Sequence, residues 1–171
     1  MTKRLLTTIL TTLLTAIGLQ AASSFTNVKL TVSGMTVTMS NGKTTIKIGS
    51  NGRASSMKWG SRELLDGSNG IYFDYTTAQG NKALSPTELK IIKQTDEMCE
   101  VLYSATSGNT IFQQGYIMRN DIAGVYTYVI ATGTATSASE PLKEVRVCTR
   151  LASDMLNGYV DYRMNGKIPT N

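Results

Sequence analysis

The chain has 171 residues, a length that suits one domain, and its formal net charge is +5, from 17 Lys and Arg against 12 Asp and Glu. This excess is mild and lacks a clustered basic stripe with interleaved aromatic residues, so nucleic acid is not an expected partner. The sequence contains no histidine, which excludes His-based catalytic triads and most zinc sites, and we expect no metal or cofactor.

The N-terminus has the pattern of a secretory signal peptide. Two basic residues precede an apolar run over residues 5–19, and the small residues Ala21 and Ala22 follow it. The run is shorter than the roughly 18 to 20 apolar residues that a membrane-spanning helix needs, and threonines dilute it. We therefore expect cleavage after Ala21, and a mature chain of residues 22–171 that is secreted or periplasmic and has no membrane contact.

Short alternating runs of β-branched and apolar residues, separated by turn residues, fill the rest of the chain. Asn41-Gly42 is a strong hairpin signal. No window after residue 21 combines an apolar 3.6-residue period with a cap, so no helix is predicted. Strand spacings of roughly 8 to 12 residues predict an all-β fold, an antiparallel β-sandwich. The expected strands are 28–32, 35–39, 44–48, 54–59, 71–75, 89–92, 97–105, 110–118, 125–132 and 143–151, with a loop over 76–86.

Three aromatic features invite a functional interpretation. Trp59, the sole tryptophan, offers an indole face that packs well against the C–H bonds of a sugar, although a Trp at a strand end is more often a core or rim residue. The run IYFDY at residues 71–75 either lines a groove or forms a sheet edge covered by loops, and we favour the edge. Tyr126 and Tyr128 alternate with Val125 and Val129, so one row is expected to pack, without a decision on which.

Charge lies on one fixed face of the segment EPLKEVRVCTRLASDML at residues 140–156. Alternation directs Val145 and Val147 to one side of a strand, and Arg146 and Arg150 to the other. We expect the valine side to pack and the arginine side to suit carboxylates, because a guanidinium offers a planar fork of donors and stays charged. The pattern alone favours a competing interpretation, in which the arginines make ordinary cross-strand ion pairs on a solvated sheet.

The segment LKEVRVCTRLASDML resembles a strand of polysaccharide lyase family 4, the rhamnogalacturonan lyases. That strand reads Gly-Glu-hydrophobic-Arg, then Arg-Leu, then Asp-hydrophobic-Leu, and its first arginine lies in the substrate cleft. The resemblance implies that Arg146 binds substrate, and Arg150 matches the second arginine. Lys143 stands where the family usually has Gly. The segments GRASSMKWGSRELL, GVYTYVIATG and LNGYVDYRMNGKIPTN continue the likeness, the first of them shared with mutarotase-like domains.

The resemblance implies a galactose-mutarotase-like supersandwich, incomplete in this chain, and an acidic polysaccharide partner, rhamnogalacturonan. Members of the family cleave this alternating rhamnose and galacturonate backbone of pectin by β-elimination, with a lysine and a histidine transferring the protons. Neither can be matched here, and Lys167 does not fit the lysine's motif. We therefore expect residues 22–171 to be the N-terminal part of a lyase sandwich that supplies scaffold and Arg146 but no catalytic residue.

Two other functions stay open. Glycoside hydrolysis needs two carboxylates about 5 to 9 Å apart across a cleft. Four acidic residues are candidates, with no spacing that selects a pair: Asp74, Glu100, Asp154 and Asp161. A non-catalytic carbohydrate-binding or adhesion sandwich needs only a groove with Arg146 and a few tyrosines.

Cys99 and Cys148 fall in separate predicted strands. An oxidising compartment would allow a disulfide between them. Two buried free thiols are equally ordinary, and we favour them over a bond without a decision on the disulfide state.

Overall fold

The computed structural model describes residues 24–67, 70–134 and 142–154, and the backbone of two short strands at 158–160 and 165–167. This part of the chain is all-β, and it contains no helix that could span a membrane. The predicted signal peptide, residues 1–21, lies outside the described residues. The strands are β1 (Lys29–Ser33), β2 (Thr36–Ser40), β3 (Thr44–Ile48), β4 (Ala54–Trp59), β5 (Arg62–Glu63), β6 (Ile71–Thr77), β7 (Gly80–Ala83), β8 (Glu88–Gln94), β9 (Met98–Ser107), β10 (Thr110–Arg119), β11 (Tyr126–Gly133), β12 (Glu144–Thr149), β13 (Gly158–Val160) and β14 (Asn165–Lys167).

Two antiparallel sheets form the sandwich, so the predicted fold class is confirmed. The first sheet has the order β1-β2-β3-β4-β6-β12, with β5 beside β4 and β7 beside β6. The second sheet has the order β11-β10-β9-β8, a meander of strands that are consecutive in the sequence, as the pattern predicted. The strands β13 and β14 pair with each other.

The core lies between the two sheets and follows the period of two in each strand. The inward row of β6 is buried, and so are the inward rows of β9 and β10. Phe112 of β10 lies across the core from β6, where its ring centroid is 5.5 Å from that of Phe73 and 4.2 Å from that of Tyr75. Two buried hydroxyls also join the sheets, because Tyr103 donates to the Met35 carbonyl and Tyr116 to the Gly52 carbonyl, each at 2.8 Å.

The hairpin turn at Asn41 also connects distant parts of the chain. The Asn41 side chain is fully buried, and its Nδ2 donates to the carbonyls of Arg119 and Ile122, each at 2.7 Å. Its Oδ1 accepts from the backbone N–H of Thr44 at 2.8 Å. At Gly42, where φ is +84°, a Cβ would lie 2.5 Å from the Ser24 carbonyl oxygen, so the turn requires glycine.

The aromatic strand β6 differs from its prediction as a sheet edge. It lies inside the first sheet, with β12 on one side and β4 and β7 on the other, and its inward rings belong to the core. The predicted loop over 76–86 contains β7, which pairs with β6 from Asp74 to Thr77. The sequence GNKA of β7 has no apolar alternation, so this strand is defined by its hydrogen-bonded partner and not by its own pattern.

The valine row of β12 also differs from its prediction as a packed face. Val145 and Val147 lie opposite Tyr75 and Phe73, on the core side of the sheet, yet they are 48% and 45% exposed. No strand in the described part of the chain pairs with the second edge of β12, and the core ends at β6. Among the described strands, β12 is therefore hydrogen-bonded to β6 alone.

Candidate functional site

Pairing with β6 fixes the position of every side chain on β12. The register sets Arg146 opposite Asp74 and Cys148 opposite Tyr72. Directly opposite residues of an antiparallel pair lie on the same face, so these four side chains project from the outer face of the first sheet. The alternation of β6 explains this, because its inward residues fill the core and leave Tyr72 and Asp74 facing outwards.

Arg146 makes a two-pronged ion pair with Asp74. Its Nε donates to Oδ1 at 2.8 Å and its Nη2 to Oδ2 at 2.7 Å. Its Nη1 lies 3.7 Å from a carboxylate oxygen of Glu144. Asp74 is 6% exposed, whereas the Arg146 side chain is 42% exposed. Arg146 therefore makes a cross-strand ion pair, as the competing interpretation of the sequence predicted. Three of the five N–H donors of its guanidinium have no hydrogen bond to Asp74.

The ion pair holds both groups in their charged forms. Hydrogen bonds from Arg146 lower the pKa of Asp74 against the opposing effect of burial, and the Arg146 charge and an Asn81 hydrogen bond lower it further. The same hydrogen bonds raise the pKa of Arg146. Neither group is therefore suited to exchange a proton near neutral pH.

Arg150 lies just beyond the end of β12, where its backbone is fixed on both sides. Its N–H donates to the Gly70 carbonyl at 3.1 Å, and its carbonyl accepts from Asp66 at 3.0 Å. The guanidinium Nε and Nη2 both contact the hydroxyl of Tyr72 at 3.3 Å, which raises the pKa of Arg150. Within the described ranges, Arg150 has no carboxylate partner within 4 Å.

A third arginine, Arg53, completes the group. Its guanidinium carbon lies 4.7 Å from the centroid of the Tyr72 ring, and that of Arg150 lies 6.0 Å from the same centroid. Cation–π contacts of this kind are worth about 0.5–1 kcal/mol at exposed sites. The turn at Asn51 positions Arg53, because Asn51 Oδ1 accepts from the Arg53 N–H at 3.1 Å. Among the residues that the structure describes, Arg53 likewise has no ion pair.

We call these five residues, Arg53, Tyr72, Asp74, Arg146 and Arg150, the arginine surface. It carries three guanidinium groups and one carboxylate, which leaves it electropositive, as expected. The cavity beside Arg53 and Tyr72 has a volume of only about 20 Å³, enough for about one water molecule. This cavity is therefore too small for a ligand of several heavy atoms, and the exposed donors lie on the surface itself.

The sequence pattern indicated Arg146 and Arg150 but not Arg53 and Tyr72. A usable signal existed for Tyr72, because it precedes Asp74 by two residues and so shares its face. No local signal marked Arg53, which reaches Tyr72 only because β4 and β6 are neighbours at Ala54 and Ile71.

Two of the acidic residues considered for hydrolysis, Asp74 and Glu100, lie on different sheets. Asp74 is held by Arg146 on the outer face of the first sheet. Glu100 lies on the outer face of the second sheet, where its Oε1 accepts from the Tyr128 hydroxyl at 2.6 Å. Asp154 lies in a turn after β12, and Asp161 is outside the described residues. The core separates Asp74 from Glu100, so these two cannot flank one glycosidic bond.

The tyrosines of β11 divide between solvent and a specific contact. Val125 and Val129 pack against the core, so the tyrosine row faces outwards. Tyr126 is exposed, whereas the Tyr128 ring lies over Gly115, where a Cβ would be 2.1 Å from the ring. Burial and the hydrogen bond to Glu100 raise the pKa of Tyr128 to about 12.

Both cysteines are free. Cys99 is buried on the core side of β9, where desolvation raises its pKa to about 11, and Cys148 is half-buried on the outer face of the other sheet. Across the described residues no group of three or more His, Cys, Asp or Glu side chains could hold a metal ion.

An antiparallel sandwich with an arginine-bearing strand at one sheet edge agrees with the likeness to carbohydrate-active lyases in the sequence. The profile of the Rhamnogalacturonate lyase family matches residues 16–162, which include every residue of the arginine surface. The chain belongs to this family.

A named relative gives the same result. The chain is 30% identical over 158 residues to a rhamnogalacturonate lyase of Dickeya dadantii (strain 3937). The match covers 86% of this chain and 27% of that enzyme. The chain thus spans about a quarter of the length of its relative.

Proposed function

We propose that this chain is the N-terminal, polysaccharide-binding part of a secreted rhamnogalacturonan lyase, in which the arginine surface binds the galacturonate carboxylates of the polymer. The observation that carries the proposal is the family match, which spans Arg146 and Arg150 together with the sandwich that positions them. The reaction of the whole enzyme would be β-elimination at rhamnose-galacturonate linkages. The signal peptide would direct export of the protein. N-terminal sequencing of the secreted product tests this, and we expect the first residue to be Ala22.

The geometry supports a division of labour among the arginines. Asp74 fixes the orientation of Arg146 and leaves three of its N–H donors for a ligand. Arg53 and Arg150 flank Tyr72 and have no ion pair of their own in the described part of the chain. A carboxylate that reaches this surface would meet preoriented donors, so the ordering cost of binding would be small.

Neutralising a uronate carboxylate acidifies the proton at C5, which is the first requirement of β-elimination. The reaction also needs a base for that proton and an acid for the leaving oxygen, each worth about 10² to 10⁴-fold in rate. On the arginine surface the pKa of Asp74 is lowered and the pKa values of Arg146 and Arg150 are raised, so none of these three is poised for proton transfer. We therefore expect this chain to bind rhamnogalacturonan without cleaving it.

Affinity gel electrophoresis tests the binding. The chain should be retarded in a gel that contains rhamnogalacturonan, and Arg146→Ala and Arg150→Ala should each be retarded less. Arg119→Ala is the matched control, because Arg119 also makes a two-pronged ion pair, with Asp121, but lies at the end of β10. Equal retardation of the Arg146 and Arg119 variants would contradict the assignment of Arg146.

A turnover assay tests the expectation of binding without cleavage. The alternative to a lyase fragment is a non-catalytic carbohydrate-binding or adhesion sandwich, which would use the same surface. Unsaturated product, read as the ultraviolet absorbance of the conjugated uronate, is not expected from this chain alone. If that absorbance appears and Arg146→Ala abolishes it, the catalytic groups lie within these residues and our expectation of binding without cleavage is wrong.

A further inference from the structure

Trp59 is a solvent-exposed aromatic side chain that the arginine surface does not use. It is the sole tryptophan and is 57% exposed, the largest fraction among the exposed large hydrophobic residues of the described chain. Trp59 is two residues after Met57 in β4, so both side chains project from the same face. The Met57 side chain packs against the core, whereas Trp59 lies beyond the end of the core. A single exposed apolar residue is common on protein surfaces, so its neighbours decide whether it has a function.

Arg62 is the cross-strand partner of Trp59. The two residues pair directly across the tight turn of β4 and β5, so their side chains project from the same face with Cβ atoms about 4.5–5.5 Å apart. Gly60 in that turn has a φ of +59°, a conformation that glycine adopts without strain. The turn therefore holds an indole and a guanidinium side by side.

The carboxylate nearest in sequence to Arg62 is committed elsewhere. Glu63 accepts hydrogen bonds from the Ser56 hydroxyl at 2.6 Å and the Met57 N–H at 2.8 Å, and from two more backbone N–H groups. Glu63 pairs with Lys58 on the opposite face of the hairpin. The Lys43 carbonyl accepts from the Gly60 N–H beside Trp59, but the Lys43 ammonium lies over the Phe25 ring, 4.6 Å from its centroid. Within the described ranges Arg62 has no ion pair within 4 Å, so its guanidinium is the charged group beside Trp59 that has no carboxylate partner.

We propose that Trp59 and Arg62, which we call the tryptophan platform, form a second binding site for an acidic polysaccharide, separate from the arginine surface. The indole face would stack on the C–H face of a neutral sugar, and the Arg62 guanidinium would bind the carboxylate of the adjoining uronate. An alternating neutral and acidic polymer has this chemistry at every repeat. The inference rests on the proposed function, because rhamnogalacturonan is such a polymer.

The platform lies far from the arginine surface. Arg53 immediately precedes β4 and Trp59 is its last residue, so about 20 Å of extended chain separates them, at about 3.3 Å per residue. Trp59 also belongs to the core-facing row of the sheet, whereas the arginine surface is on the outer face. Two separate contacts with one long polymer would raise the total affinity through effective concentration.

Fluorescence of the sole tryptophan tests the platform without a label. Rhamnogalacturonan oligosaccharides should protect Trp59 from quenching by acrylamide, and a neutral galactan should protect it less. Arg62→Gln should raise the concentration needed for half protection by about two- to fivefold, the value of an exposed ion pair. Arg119→Gln is the matched control and should change nothing. Trp59→Ala should be retarded less than the wild type in the affinity gel, with an unchanged urea midpoint, because the side chain is exposed.

The outcomes distinguish the two proposals. If the gel retards the protein but Trp59 remains equally accessible to acrylamide, the platform is wrong and the proposed function stands. If Trp59 is protected in the wild type and in Arg146→Ala alike, the platform is supported as a separate site. If the protein is not retarded and Trp59 is not protected, both proposals fail.

Discussion

Arg146 and Asp74 lie 72 residues apart in the sequence and form a two-pronged ion pair across the β6–β12 junction, with distances of 2.8 and 2.7 Å. Asp74 is 6% exposed, so water reaches its carboxylate poorly and Arg146 compensates its negative charge. The pair serves two purposes in our account. It attaches the edge strand to the sheet, and it orients an arginine that we propose as a ligand for uronate.

The ion pair predicts a specific loss of stability in acid. The pKa of Asp74 is lowered in the folded state, chiefly by the Arg146 hydrogen bonds. A lowered pKa contributes stability that is present above the unfolded value, about 3.9, and is lost as the pH falls through the folded value. The urea midpoint of the wild type should therefore fall more steeply below about pH 4 than that of Asp74→Asn.

Asp121→Asn is the control for the acid experiment. Asp121 makes the same contact with Arg119, but both side chains are exposed, so less stability depends on the pair. The pH profile of Asp121→Asn should stay close to that of the wild type. A wild-type profile that matches the profile of Asp74→Asn would show that the ion pair contributes little.

Gly115 allows the Tyr128 ring to reach Glu100. A Cβ at this position would lie 2.1 Å from the ring, so Gly115→Ala must displace Tyr128 and break its hydrogen bond. We expect a cost of about 1–3 kcal/mol, typical of overpacking. The pKa of Tyr128, raised to about 12 in the wild type, should return towards its ordinary value of 10.0.

Ultraviolet titration of the tyrosines measures this change. Because the pKa is raised in the folded state, Tyr128 adds to the free energy of unfolding of the wild type below about pH 10. This added stability is lost as the pH rises through about 12. Tyr128→Phe should remove the same high-pKa component. Gly133→Ala is the control, because a Cβ there would meet no neighbouring atom. An unchanged titration curve in Gly115→Ala would contradict the contact.

Asn41 should be among the most sensitive polar positions in the core. Asn41→Ala leaves the carbonyls of Arg119 and Ile122 and the N–H groups of Lys43 and Thr44 without their side-chain partner. We expect a decrease of about 2–4 kcal/mol in the free energy of unfolding, measured by urea denaturation. Asn51→Ala, which removes one hydrogen bond at an exposed turn, should cost about 1 kcal/mol or less. Equal decreases in the free energy of unfolding for the two variants would show that the hydrogen bonds from Asn41 to the Arg119 and Ile122 carbonyls add no stability beyond that of the turn.

Local pattern in the sequence accounts for much of the fold. Alternation predicted β3 at its observed bounds, because this strand has one buried face, and turn signals between strands predicted β4 and the meander of the second sheet. It failed for β7, whose residues carry no alternation, and for the position of β6 within its sheet. Both features depend on which strands become neighbours, and that is decided by long-range pairing.

The candidate site was predictable in part for the same reason. The spacing of Arg146 and Arg150 indicated a common face, which the structure shows. The partner of Arg146 was not predictable, because Asp74 lies on another strand far along the chain. Arg53 and Tyr72 meet through the junction of β4 with β6, which no local pattern describes. The prediction that the valine side of β12 packs was wrong, because no strand of the second sheet covers that side in the described residues.

If the arginine surface recognises uronate carboxylates, binding must weaken when those carboxylates are chemically reduced. Isothermal titration calorimetry would compare native rhamnogalacturonan with a sample whose galacturonate carboxylates have been reduced to alcohols, at one fixed salt concentration. We predict heat of binding with the native polymer, weaker binding by Arg146→Ala and Arg150→Ala, and much weaker binding of the reduced polymer. Equal binding of the native and reduced polymers would contradict the account.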